Sequence, residues 1–217
     1  MITLDRIHKS YRKKSGWHDV LRNISVTFPK GRSVGILGRN GAGKSTLLRL
    51  IGGVEQPDKG RISREMKVSW PVGFTGGIHG DLTGRENARF VARIYGADLR
   101  HVVQFTESFA EIGDYFDMPI QTYSTGMRAR LSFGLSMACE FECYLVDEIT
   151  AVGDYVFQKK CKEIFNERRE RASVIMVSHN VNTIKQYCDM AAVLSDGHIE
   201  LFETVETAAA AYSGNVH

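Results

Sequence analysis

The sequence predicts an α/β fold: a mainly parallel core sheet, an N-terminal antiparallel β subdomain and an inserted helical subdomain. Three observations predict it. A short apolar run, Ser33 to Leu37, leads through glycines into helix-spaced Leu47, Leu48 and Ile51, which reads as strand, loop and helix. Two strand-sized apolar runs, Tyr144 to Val146 and Val174 to Val177, flank an amphipathic stretch through Val156, Phe157, Cys161, Ile164 and Phe165, the pattern of a parallel crossover. Between Arg85 and Ser136 the apolar spacing is mostly helical.

Taken in order, Thr3 to Lys9 alternates loosely around Leu4 and Ile7, and Val20 to Phe28 alternates more clearly through Ile24, Val26 and Phe28. Both read as strands, joined by a polar loop from Arg12 to His18. Pro29, Lys30 and Gly31 make a turn. In the helical insertion Phe90, Val91, Ile94 and Tyr95 share one face, and Leu131, Phe133, Leu135 and Met137 mark a later apolar segment. A last hairpin turns at Asp196-Gly197, and Val205 to Tyr212 closes as a helix. No repeat, low-complexity tract or linker interrupts the chain, which reads as one unit over 1–217 with the helical subdomain at approximately 82–140.

Composition narrows the function. At 217 residues, 43% hydrophobic and 24% charged with net charge +3, the chain reads as an ordinary globular one, and its charge argues for no nucleic-acid partner. The longest apolar runs are far short of the roughly 20 residues a membrane helix needs. The N-terminus, with Thr3, Asp5, Arg6, His8 and Lys9, has no apolar core for a secretory signal. Cys139, Cys143, Cys161 and Cys188 form no C-x-x-C pair and have no histidine at ligand spacing, so they read as reduced thiols of a cytoplasmic protein.

Gly38-Arg39-Asn40-Gly41-Ala42-Gly43-Lys44-Ser45 fits G-x-x-x-x-G-K-[ST], the phosphate loop of P-loop NTPases. Its glycines let successive backbone N–H groups turn toward phosphate oxygens, Lys44 adds a positive charge near the β and γ phosphates, and Ser45 offers a hydroxyl to Mg²⁺. Thr46 follows in the same turn. Downstream, the apolar run Cys143 to Val146 ends in Asp147 and Glu148. Beside a phosphate loop, a strand-end acid can hold Mg²⁺ and a second can polarise the attacking water; Asp147 is assigned to the metal and Glu148 to the base. His179 follows the run Val174 to Val177 and so emerges at the same sheet edge, where it can sense or position the γ-phosphate.

Tyr123-Ser124-Thr125-Gly126-Met127-Arg128-Ala129-Arg130-Leu131 resembles the signature of ATP-binding-cassette (ABC) ATPases, whose usual core is Leu-Ser-Gly-Gly-Gln. With the phosphate loop, Asp147-Glu148 and His179 in this order, the resemblance covers essentially the whole chain. It implies an ABC ATPase with ATP and Mg²⁺ as cofactors, working as a homodimer that sandwiches two nucleotides, so that Ser124 and Gly126 act in trans at a helix N-terminus. It also implies Tyr11 as the aromatic that stacks on adenine, with Trp17 as fallback, and Asp154 as the aspartate of the dimer-contact loop.

One stretch departs from that family. Ser69 to Asn87 gathers glycines around Pro71, Trp70, Phe74 and His79, and Phe74 falls roughly where most members carry a glutamine touching Mg²⁺ and the attacking water. No lysine follows its glycines, so the loop reads as a hinge and contact surface, with Trp70, Phe74 and Ile78 as candidate anchors, rather than as a second phosphate cradle. The segments Ser69 to Gly73, Leu82 to Arg93, Tyr115 to Ile120 and Val152 to Asp154 resemble the ATP-binding subunits of capsular polysaccharide exporters, the KpsT-like proteins. That resemblance implies a homodimer docked under two copies of an integral membrane permease at the cytoplasmic face of the inner membrane. It further implies export of a lipid-linked acidic polysaccharide and indirect contact with periplasmic and outer-membrane export components. Because the sequence stops at His217, no C-terminal carbohydrate-binding domain of the kind O-antigen exporters often add is expected. The competing reading is a soluble ABC-type ATPase acting on ribosome or nucleic acid; single-cassette length and mixed charge argue against it.

Overall fold

The computed structural model describes residues 1–14, 16–147 and 154–214. Strands β1 (Ile2–Lys13) and β2 (Gly16–Phe28) pair antiparallel; β3 (Val34–Leu37) leads into α1 (Lys44–Ile51), and β4 (Lys59–Arg64) returns to the other edge of β1. The chain continues through β5 (Val68–Pro71) and helices α2 (Gly84–Tyr95), α3 (Leu99–Ala110) and α4 (Thr125–Ala138). Then come β6 (Cys143–Asp147), α5 (Tyr155–Arg169), β7 (Ser173–Val177), α6 (Val181–Tyr187), the hairpin β8 (Met190–Ser195) and β9 (His198–Phe202), and α7 (Val205–Gly214).

Two sheets result. One is three-stranded, in the order β2-β1-β4; the other is six-stranded, β5-β6-β7-β3-β8-β9, parallel throughout except for β9. The predicted class therefore holds, including the antiparallel N-terminal sheet. β3 and β7 are buried at every residue, which is why they read as unbroken apolar runs rather than as alternations.

The chain divides into two compact units: Met1–Pro71 with Glu142–Ile149 and Ala172–His217, and Val72–Phe141 with Thr150–Arg171. In the first, Ile2, Leu4, Ile7, Leu21, Ile24 and Phe28 from the hairpin share one core with Val34, Ile36, Leu47, Leu48, Leu145 and Val177. In the second, Phe109 stacks at 5.8 Å on Phe133 of α4 and meets Phe157 of α5 edge-on at 5.4 Å, so three helices share an aromatic seam.

Two sequence expectations are corrected, and one strand appears that the sequence did not predict. The polar stretch Arg12 to His18 is mostly strand: Arg12 pairs with Trp17 and Lys13 with Gly16. Ladder hydrogen bonds need no apolar side chain, so the hairpin extends past the point where its hydrophobic alternation stops. Strand β4, Lys-Gly-Arg-Ile-Ser-Arg, went unread for the same reason, because an exposed edge strand carries charge instead of a buried face. On α2 the apolar stripe is only partly covered: Phe90 is 49% and Ile94 57% exposed, while Val91 and Tyr95 are half-buried, Tyr95 meeting Phe141 edge-on at 5.3 Å, beside buried Asn87, Ala88 and Ala92. The covered face is thus shifted toward the small residues, which let a helix approach its neighbours closely.

Candidate functional site

β3 is buried along its length and must leave the sheet at Leu37; the chain turns through Gly38 to Gly43 and starts α1. Two of those glycines are required sterically. A Cβ at Gly38 would lie 2.5 Å from the carbonyl oxygen of Leu194 on β8. At Gly43, where φ is +100°, it would lie 2.6 Å from Val20 Cγ1. Gly43 is also the N-cap of α1, so no side-chain oxygen caps the helix start, the arrangement that leaves a helix N-terminus suited to anions. Ala42 N–H closes the turn onto the Arg39 carbonyl at 3.1 Å. Lys44 Nζ donates to the carbonyls of Gly38 (2.7 Å) and Arg39 (3.0 Å), which holds the ammonium against the loop's own backbone.

A cleft of about 570 Å³ opens over this loop, lined among others by Tyr11, His18, Lys44, Ser45, Asp147 and Val177, with Asn40, Gly41, Gly43 and Thr46 also on its wall. Asp147 reaches it because the sheet is parallel there. Asp147 stands opposite Val177, and Val177 opposite Ile36, so the C-terminal ends of β3, β6 and β7 meet at one edge. Ala42 lies on the adjoining hollow beside the β8–β9 turn. His179 sits two residues past β7, exposed, after buried Ser178, whose backbone N–H donates to Ile36 at 3.3 Å; it is not among the residues lining the cleft. Glu148 lies outside the described residues.

The two aromatic candidates separate clearly. Tyr11 lines the cleft and its hydroxyl donates to the Glu55 carboxylate, with oxygen distances of 2.7 and 2.8 Å, while accepting from Arg49 at 3.2 Å. Trp17 is 75% exposed on β2 and does not line it.

The second unit carries the other predicted group. Ser124 is the N-cap of α4, its Oγ accepting from Met127 N at 3.2 Å, and Gly126 sits in the first turn. A shallow hollow of about 340 Å³ opens there, walled by Ser124, Gly126, Met127, Arg130, Glu111 and Ile112. Arg130 bridges to Asp154 at 2.9 Å and lies over the Phe157 ring at 4.3 Å. Asp154 caps α5 by accepting from Phe157 N at 2.9 Å, and that backbone hydrogen bond, with Arg130 nearby, holds its carboxyl below the ordinary carboxylate range.

The glycine-rich loop spans the point where the chain passes from one unit to the other, at Pro71–Val72. Upstream, buried Ser69 accepts from Leu145 N at 2.9 Å. Downstream, the Phe74 carbonyl accepts from Ser132 Oγ at 2.9 Å, and buried Asn87 fastens the loop by accepting from His79 N (2.9 Å) and donating to the carbonyls of His79 (3.1 Å) and Thr83 (2.9 Å). Thr83 and Glu86 then close a reciprocal capping box on α2. Trp70, Phe74 and Ile78 are each half-buried.

Sequence reasoning passed over Glu55, Arg49 and Asn87. Only Asn87 left a signal, in the Thr83-x-x-Glu86 cap word immediately before it. Glu55 and Arg49 carried none, because their partner Tyr11 is 44 and 38 residues away.

Residues 21–151 match the family described as "ABC transporter". The chain belongs to that family, and within it to the nucleotide-binding subunits that hydrolyse ATP. It is 54% identical over 215 residues, covering 98% of each chain, to the "Polysialic acid transport ATP-binding protein KpsT" of Escherichia coli. It is 52% identical over 209 residues, 96% of each, to the "Capsule polysaccharide export ATP-binding protein CtrD" of Neisseria meningitidis serogroup B. Among solved structures, a "Dimeric structure of a post-hydrolysis state of the ATP-binding cassette MJ0796 bound to ADP and Pi" superposes with a TM-score of 0.72 at 21% identity, covering 94% of this chain and 99% of that one, a likeness of fold.

Proposed function

We propose that this chain is the ATP-hydrolysing subunit of an exporter that drives lipid-linked capsular polysaccharide across the inner membrane. In this reading it works as a homodimer at the cytoplasmic face, held there by two copies of a separate permease and linked through them to periplasmic and outer-membrane export components. The observation that carries the reading is identity above 50% along nearly the full length to relatives named for polysialic acid transport and capsule polysaccharide export. The soluble ribosome- or nucleic-acid-directed alternative has no support among those relatives. Among the described residues no helix is long and apolar enough to cross a membrane, which suits a subunit attached through a partner.

In this reading the phosphate-loop backbone from Gly38 to Gly43 cradles the phosphates, and Lys44 swings from its own carbonyls to the β and γ oxygens. Ser45 and Asp147 line one cleft and together offer a hydroxyl and a carboxylate. That sparse oxygen set fits Mg²⁺, which is usually bound by one or two protein groups together with substrate phosphates and several retained waters. When bound, Mg²⁺ supplies neutralising charge across the phosphates. Glu148 takes the proton of the attacking water, His179 positions the γ-phosphate, and Ser124 and Gly126 meet the partner subunit's nucleotide. ATP drives closure of the dimer by binding the closed state more tightly, and the Ser69 to Gly84 region passes that motion to the permease.

Two measurements test the reading. Glu148→Gln should bind ATP yet lose on the order of a thousandfold in phosphate release, the scale of a lost general base; full activity would move the base to another group. Tagged protein extracted gently from its native membranes should bring a multispanning permease with it. Recovery of ribosomal or nucleic-acid partners in place of the permease would overturn the export function while leaving the ATPase chemistry intact.

A further inference from the structure

Half-buried Tyr11 lies past the last fully buried residue of β1, Ile7, and is followed by exposed Arg12 and Lys13. A polar network holds its hydroxyl. Both Glu55 carboxylate oxygens lie within 2.8 Å of the Tyr11 hydroxyl, and Glu55 is itself gripped by Arg49 Nε at 3.1 Å and Lys9 Nζ at 3.2 Å. Arg49 also donates to the Tyr11 hydroxyl and to Thr46 Oγ1, both at 3.2 Å. Lys9 is anchored in turn by Asp58 at 3.1 Å and the Gln56 carbonyl at 2.9 Å, and its ammonium lies 5.5 Å from the Tyr11 ring centroid. Burial pushes the Glu55 carboxyl up, but hydrogen bonds from Tyr11, Arg49 and Lys9 outweigh it and hold the group below the ordinary carboxylate value, so it stays an anionic acceptor.

Arg49 and Thr46 belong to α1, the helix that begins on the phosphate loop. One network therefore references the phenol ring and the phosphate cradle to the same rigid element. We propose that Glu55, clamped between Arg49 and Lys9, is a positioning residue for nucleotide binding: it locks the Tyr11 ring at the distance from the phosphate loop at which adenine stacks. With Lys9 over one face of the ring, the base takes the other. This rests on the reading of Tyr11 as the adenine stacker and adds the device that orients it. The energetic gain is preorganisation, because a ring already ordered does not have to be ordered by the ligand.

The test compares ATP with inorganic triphosphate, which carries the phosphates without the base, by calorimetric titration of the full chain in Mg²⁺. Glu55→Ala should raise the Kd for ATP roughly three- to tenfold and leave the Kd for triphosphate unchanged. Tyr11→Phe cuts the same hydrogen bond from the other side while keeping the ring and creating no cavity. It should match Glu55→Ala, and the double variant should be no weaker than either single one. Glu55→Gln, which keeps an acceptor oxygen but loses the charge that grips Arg49 and Lys9, should fall between the wild type and Glu55→Ala. Equal loss of ATP and triphosphate would overturn the proposal, since Glu55 would then only support α1; so would an unaltered Kd for ATP in Tyr11→Phe, or additive losses in the double variant. Tyr11→Ala isolates the underlying reading. It should weaken ATP roughly ten- to hundredfold, and no change there would remove the stacker itself and the proposal with it.

Discussion

Two helices that the sequence marks for phosphate begin in different ways. α1 starts from Gly43, a left-handed residue with no side chain to offer, whereas α4 starts from Ser124, whose hydroxyl already accepts the Met127 amide at 3.2 Å. A capped helix start is stable alone; an uncapped one at the mouth of a glycine loop leaves its donors to an incoming anion. Under the proposed function, the contrast teaches that α1 is built to be completed by its ligand, while α4 is built to stand finished and to present a surface. Their surroundings agree. α1 has Lys44 and a cleft of about 570 Å³ at its start, and α4 has a smaller hollow of about 340 Å³ and an arginine, Arg130, already committed to Asp154 and Glu111.

On that contrast, substitutions at α1 should cost far more turnover than substitutions at α4. The largest effect belongs to Lys44→Ala, which removes the positive charge over the loop and should lower steady-state phosphate release by roughly a hundred- to a thousandfold. An unchanged rate would dissolve the assigned site. Next is Gly43→Ala. It forces a Cβ into left-handed backbone and toward Val20, so it should destabilise folding by about 1–3 kcal/mol in denaturant titration and reduce turnover along with it. Ser124→Ala comes third, with a cost of about 1 kcal/mol for the lost cap and a fall in turnover smaller than that of Lys44→Ala; a loss as deep would make the two helix starts equivalent. Smallest is Ile78→Asp in the glycine-rich loop. It should leave basal hydrolysis close to wild type and reduce polysaccharide export in cells, and a parallel drop in both would mean that the loop serves catalysis.

Local features of the chain were legible. The phosphate loop, the apolar strand ending in Asp147 and the Asp196-Gly197 turn are short patterns whose chemistry is contained within a few residues, and the structure shows that turn with Ser195 paired to His198 and both turn residues at positive φ. Distant features were not. The residues Phe90, Val91, Ile94 and Tyr95 share one face, but periodicity reports where apolar residues align, and not which side a neighbour approaches. Val91 and Tyr95 are half-buried beside buried Ala88 and Ala92, and Phe90 and Ile94 are left exposed. The charged strand β4 hid because edge pairing is a backbone matter, and Glu55 hid because nothing near it in the chain names Tyr11.

By itself the sequence determined the α/β class, the phosphate loop and the order of strand, acid and histidine along it, since each follows from local periodicity or from a motif whose spacing is its mechanism. Tertiary structure alone decided that Asp147 and Ser45 share one cleft, that Tyr11 and not Trp17 lines it, and that Glu55 and Arg49 hold that tyrosine. The reason is physical. Local patterns limit the shapes a segment can take, but a side chain's partner is chosen among all the surfaces the folded chain brings near it, and that choice exists only once the chain has folded.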